Sequence, residues 1–208
     1  MNYEEIVDAA LSYADRSDTG TVSRIGTFLR IVESRVNTVL TVQSMTATES
    51  ITLQENVVDY GLPASYKALV DIKYTGPSIN KSLTLLTPEE IAAAKDDPTN
   101  NSVYGYAIIG GTLTLAFIPS ADDIIDNNLS IIFFKRLPGL TSVTTTNWLS
   151  ELNPECYIFG LCVEIFSFVK DADAAMLWEQ RFNDSLAKIA DNDYLHHWSG
   201  QSITTRVA

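Results

Sequence analysis

Residues 157–169 (YIFGLCVEIFSFV) constrain this 208-residue chain more than any other stretch. Tyr157, Ile158, Leu161, Cys162, Val163, Ile165, Phe166, Phe168 and Val169 leave almost no polar stripe, so a helix here must be enclosed by other elements. It is too short, and too interrupted by Glu164, to span a bilayer. Asn153 suits the N-cap, and Pro154 suits the first helical position, where the missing N–H would be orphaned anyway. From about Asp173 the pattern changes to one stripe, Trp178, Phe182, Leu186 and Ile189, at helical spacing. Glu179, Asn183, Asp184 and Lys188 fall on the wet side, with Asp184 and Lys188 placed for an i,i+4 ion pair. The first helix reads as a central post and the second as a helix leaning on it. Phe166 is therefore expected to carry more of the core than Phe182.

The front of the chain is helical as well. Asn2 and Glu5 fit a capping box, followed by Tyr3, Ile6, Ala10 and Tyr13 on one face and a polar turn over 16–20. A second helix, starting near Thr21 or Ser23, carries Val22, Ile25, Leu29, Val32, Val36 and Val39 as a packing stripe, with Arg24, Arg30, Glu33 and Arg35 among its polar positions.

Between the helical ends the period becomes two. Strands are predicted over 45–53, 57–60, 67–74 and 81–86. Thr87 then caps a short helix over 88–95, with Pro88 at its first position and Glu90 closing a capping box. Residues 106–109 and 112–117 flank Gly110-Gly111, a strong two-residue hairpin signal. An acidic loop over 119–127 leads to a buried strand over 129–135, ended by Pro138-Gly139. Short turns between consecutive strands predict antiparallel pairing.

Residue patterns that could carry chemistry are few. His196 and His197 lack the accompanying Cys or carboxylate cluster of a metal site. Asp122, Asp123 and Asp126 resemble the start of a calcium loop without its glycine or terminal glutamate, and read as a solvated loop. Glu164 invites a reading as a perturbed general acid, but more simply marks the polar edge of its helix with Gly160, Ser167 and Asp171. No phosphate loop, nucleophile elbow or dinucleotide fingerprint occurs. The expectation is a non-enzyme with no metal and no cofactor. A net charge of −12 argues against a grip on nucleic acid. Cys156 and Cys162, six apart on one helix, point different ways and read as buried thiols in a reducing compartment. No basic leader opens the chain, so synthesis in a cytoplasm and no membrane association are expected. Residues 195–208 mix His197, Trp198, Ile203 and Val207 with polar residues, which suits a segment that orders on a partner.

The order of these features resembles the head–tail adaptor (connector, or head-completion) proteins of tailed bacteriophages. The resemblance rests on the run from Ile25 through Glu33 to Arg35, on Tyr60-Gly61-Leu62-Pro63 with Tyr66, and on 106–115 with Pro119. It continues through Phe133-Phe134, Leu137-Pro138-Gly139-Leu140, Asn147-Trp148-Leu149, Asn153-Pro154, Asp171 and Trp178-Glu179, covering about residues 3–192. Ser120-Ala121 stand where the pattern has a second proline, a departure of loop shape only. The resemblance implies a structural virion protein at the neck, a subunit of a dodecameric ring beneath the portal. Such a ring extends the DNA channel, lets DNA pass without specific binding, and offers a landing surface for the tail nozzle or tail fibre proteins. His197, Trp198, Ile203 and Val207 become the expected portal contacts.

The expected fold class is α+β. Residues 1–44 and 146–194 form a helical part resembling a four-helix bundle, 45–145 an inserted antiparallel β region, and 195–208 an extended C-terminal tail. The alternative is a carbohydrate-binding or baseplate-type β module, whose mark would be exposed aromatics grouped on the β region. A small hydrolase, the third class, would need a histidine-containing site.

Overall fold

The computed structural model of the protein describes residues 1–76, 80–96, 104–121 and 129–198, the last five by backbone alone. The protein is a mixed α+β chain that divides into two compact units: Met1–Met45 with Leu137–Ala208, and Thr46–Arg136.

In the helical unit, α1 (Tyr3–Ala14) opens with the predicted capping box: the Asn2 side chain accepts from the Glu5 N–H and the Glu5 carboxylate accepts from the Asn2 N–H, both at 2.9 Å. Asp15, in the left-handed region, ends it. The predicted second helix is broken into α2 (Thr19–Val22), capped by Asp18, and α3 (Ile25–Val39). The break at Ser23–Arg24 takes Val22 out of the packing stripe. Val39, at the last position of α3, is also exposed, and burial is left to Ile25, Phe28, Leu29, Val32 and Val36. A short helix that no apolar period marks, α5 (Trp148–Leu152), follows an Asn147–Ser150 capping box.

α6 (Pro154–Phe168) begins at Asn153–Pro154 as expected, although the Asn153 side chain caps nothing. It packs against α1, α3, α5 and α7 (Ala172–Trp198), as its all-round apolar surface requires. Gly160 makes the approach close: a Cβ there would stand 2.7 Å from Val32 and 3.1 Å from Phe182. Its C-terminal end departs from the expectation, with Phe166 half-buried and Phe168 exposed while Phe182 on α7 is fully buried. The reason is position: Phe166 and Phe168 lie in the last turn of α6, whereas Phe182 sits mid-helix against Gly160. A second departure is the length of α7. With no glycine or proline between Ala172 and Trp198, the helix continues to Trp198, so 195–198 are helical and not extended.

The β unit holds two four-stranded sheets: β1 (Thr46–Ile51), β8 (Leu129–Lys135), β3 (Tyr66–Thr75) and β4 (Asn80–Ser82) in that order, and β2 (Asp59–Gly61), β7 (Thr112–Leu115), β6 (Gly105–Ile109) and β5 (Thr84–Leu85). The first and last strands pair, Thr46 opposite Phe134 through Ile51 opposite Leu129, so the chain enters and leaves the unit side by side. The predicted hairpin is present, with Gly110 and Gly111 at φ of 58° and 83° as the turn requires. The predicted strand over 81–86 is split into β4 and β5. The all-antiparallel expectation needs correction, because β5 pairs with β6 in parallel. Helix α4 (Pro88–Asp96) stands between β5 and β6 in the chain, and a connection that long lets the next strand run the same way. The α4 cap is as read: the Glu90 carboxylate accepts from the Thr87 N–H at 2.7 Å. The core of this unit gathers Leu53, Ile72, Leu113, Leu115, Ile131 and Phe133, with Tyr74 and Phe117 in tilted contact at 5.2 Å. Asp122, Asp123 and Asp126 lie outside the described residues.

Candidate docking surfaces

The strongest chemistry in the helical unit is structural. Glu33 falls on the buried side of α3, where its carboxylate accepts from the Leu140 N–H at 2.6 Å and from the Tyr157 hydroxyl at 3.5 Å. The Asn147 amide donates to the Tyr157 hydroxyl and to the Pro138 carbonyl, each at 2.7 Å. Asn37 accepts from the Leu137 N–H at 2.7 Å. These bonds tie residues 137–147 to α3 and α6, which is why that segment belongs with the helices and not with the strands before it. Burial pushes the Glu33 carboxyl above its ordinary value and pushes the Tyr157 hydroxyl up as well.

Glu164 answers the general-acid question with a partner. It lies 3.6 Å from the Arg35 guanidinium, which also pairs with Glu179 and stacks 4.7 Å from the Phe182 ring. Among the described residues both ion pairs are made by Arg35, and neither uses Asp184 or Lys188. Trp178 is gripped from three sides by Tyr13, Phe159 and Arg181. Cys156 and Cys162 are buried and unpaired, and burial pushes both thiols up to about 12, which keeps them unreactive. No group of three metal-ligating side chains stands together among the described residues.

Among the described residues of the helical unit, three surfaces are open to partners. The exposed side of α1 carries Glu4, Glu5 and Asp8 and no basic residue. The exposed side of α3 carries Arg24, Arg30 and Ile31, and its one carboxylate, Glu33, is buried. The two helices flank α6 on different sides: the Cys162 thiol reaches the Ala10 carbonyl of α1, while Gly160, about 200° away around the helix, faces Val32 of α3. The third surface is a groove of about 320 Å³ lined by Val42, Trp148, Leu152, Ile189, Asn192 and Asp193. Leu152 is 67% exposed there, and the buried Trp148 indole N–H meets no acceptor among the described residues.

His197 and Trp198 lie in the last turn of α7, and their side chains, like Ile203 and Val207, lie outside what the structure describes. The expected contacts of these four residues therefore fall outside the described residues. The mark of a carbohydrate-binding module is also missing: every aromatic residue of the β unit, all of them described, is buried or half-buried. No described helix is long and apolar enough to cross a membrane.

The described residues thus show charged and apolar outer faces and a core held by buried polar pins. The family described as SU10 adaptor protein matches residues 1–206, nearly the whole chain, and the chain belongs to that family. It is a bacteriophage head–tail adaptor, a structural component of the virion that works with other head and tail proteins, and the family is not a known enzyme family. No curated protein matches the sequence. The residues that pin the fold, Glu33, Arg35, Leu140, Asn147 and Glu179, are among those that carried the resemblance in sequence, where they were visible only as motif positions.

Proposed function

We propose that the protein assembles as a ring, dodecameric by the resemblance, that docks beneath the phage portal, extends the DNA channel and presents the surface on which the tail nozzle or fibres attach. The observation that carries this reading is the family match, which spans both units and reaches into the segment beyond Trp198. Two structural features support it. The acidic face of α1 and the basic, apolar face of α3 lie on different sides of one subunit, the arrangement that head-to-tail association of identical copies needs. The net charge of −12 disfavours adhesion to phosphates, so DNA can pass.

Attachment to the portal runs through the end of the chain, with His197, Trp198, Ile203 and Val207 as contacts. A single short segment binds weakly because ordering it costs conformational entropy, and a ring offsets this by raising the effective concentration of the remaining segments once the first has docked. Two variants test this. Removal of residues 199–208 should leave the melting transition in place and abolish stable attachment to portal-containing heads, which then package DNA and leak it. Arg24→Glu with Arg30→Glu should dissociate the oligomer, and adding Glu4→Lys with Asp8→Lys in the same chain should restore it. Normal tail attachment by the truncated chain would place the anchor on the helices instead.

A further inference from the structure

The sheet ordered β1, β8, β3, β4 ends in two edge strands, and each carries one charge on the face that packs into the core. Glu49 stands opposite Ile131 in the β1–β8 ladder, and Lys81 stands opposite Tyr74 in the β3–β4 ladder. Ile131 and Tyr74 both belong to the buried core, so Glu49 and Lys81 leave the same face of the sheet, one at each edge. Both are exposed, and neither makes an ion pair among the described residues, while Lys81 lies 4.4 Å from the Tyr104 ring. An inward-turned charge on an edge strand guards that edge against pairing with a like one. Here the two signs are opposite, which disfavours β1 on β1 and β4 on β4 but admits β4 on β1.

The backbone geometry agrees. Neighbouring strands alternate in direction, so β1 and β4 run oppositely, and β4 of one copy set beside β1 of another in the same orientation is antiparallel to it. The Leu83 N–H donates to the Ile72 carbonyl at 2.8 Å, which makes 72 with 83, and then 74 with 81, the bonded pairs of that ladder. The backbone groups of Asn80 and Ser82 therefore point away from β3. The same alternation, carried through β3 and β8, turns those of Thr48 and Ser50 outward from β1. With Lys81 opposite Glu49, Asn80 meets Ser50 and Ser82 meets Thr48. Outward-pointing backbone groups then face each other, and the two charges fall in the close pair between them.

We propose that β4 of one copy adds to β1 of the next, with Lys81 on Glu49, so that the sheets of neighbouring subunits join edge to edge. The two edges are the opposite margins of one sheet, so the contact is head-to-tail, the kind from which rings are built. Three residues of β4 make a ladder that is weak alone, and a closed ring holds each copy by two of them.

The proposal rests on the ring reading and names a contact for it, and the test separates the two. Full-length Glu49→Cys mixed with full-length Lys81→Cys should give disulfide-linked pairs under mild oxidation roughly tenfold faster than either variant alone, as effective concentration dictates. The native Cys156 and Cys162 are buried and do not compete. In sedimentation, Glu49→Lys and Lys81→Glu should each raise the concentration of half-assembly roughly tenfold, and both in one chain should return it to within about threefold of native. Absence of the mixed disulfide, or assembly that ignores the charge exchanges, would overturn the proposal and leave the ring to the helical faces. Fastest linkage in Glu49→Cys alone would also overturn it, by assigning β1 to a symmetric pair. A native chain that stays monomeric, with no mixed disulfide, would refute the ring reading as well.

Discussion

The two units of this protein reach long-range order by different means. In the β unit the ladders themselves are long-range: Thr46 pairs with Phe134 and Tyr66 with Lys135 through backbone groups that every residue carries. In the helical unit the backbone bonds close within each helix, apart from two made by the start of the chain, Met1 to the Ser150 carbonyl and the Tyr3 N–H to the Thr145 carbonyl, so most of what joins distant segments is side chains. Glu33 reaches Leu140 across 107 positions, Arg35 reaches Glu179 across 144, and Asn37 reaches Leu137 across 100. A sheet specifies its neighbours by register, whereas a helix packed by apolar stripes alone can slide or rotate. The buried polar pins of the helical unit fix that freedom, and the β unit needs fewer of them.

That contrast can be broken most sharply at Phe182. It is fully buried against Gly160 and Arg35, so Phe182→Ala should cost about 3–5 kcal/mol through transfer and cavity terms. Phe166→Ala, at a half-buried position, should cost clearly less. Trp148, Trp178 and Trp198 all belong to the helical unit, so tryptophan fluorescence in a denaturant melt reads that unit alone, and far-UV circular dichroism reads both. Losses in the reverse order would mean that α6 and not α7 carries the aromatic core.

Gly160→Ala comes next. The added methyl meets Val32 and Phe182 within contact distance and should destabilise by about 1–3 kcal/mol through overpacking, seen in the fluorescence melt. A neutral result would show that α3 and α7 can draw apart, and that the polar pins and not close packing set their spacing.

Glu33 tests the pins directly. Glu33→Ala leaves the Leu140 N–H without its acceptor and should cost about 1–3 kcal/mol. Glu33→Gln keeps an acceptor and changes the pH response instead. Burial raises the folded-state pKa above 4.5, so between the two values the folded state holds more protons than the unfolded state. The contribution of Glu33 is therefore fully present below about 4.5 and is lost as pH rises through the raised folded-state value. Melts of the native chain and of Glu33→Gln should show that slope in the first and not in the second. Identical slopes would mean that the carboxylate is solvated.

The smallest effect belongs to the β unit. The Thr114 hydroxyl donates to Asp59 at 2.6 Å, a partly exposed pair beside a ladder that already fixes the register. Asp59→Ala should cost about 0.5–1.5 kcal/mol, visible by circular dichroism and not by fluorescence. A loss as large as that of Glu33→Ala would remove the distinction between the units.

Much of the architecture follows from sequence pattern alone. The apolar run of α6 forces enclosure, the capping boxes at Asn2 and Thr87 place two helix starts, and Gly110-Gly111 places a hairpin, because each depends on residues within a few positions of one another. The switch from helical to period-two spacing locates the β region for the same reason. Tertiary structure decided what local pattern cannot reach: that Glu33 is a buried pin and not a wet position, that Arg35 selects Glu164 and Glu179, and that β5 runs parallel to β6. It also decided that Trp148 lines a groove while its indole N–H meets no acceptor among the described residues. Each of these depends on partners far apart in the chain, and burial is a property of the assembled neighbourhood, which spacing along one element does not contain.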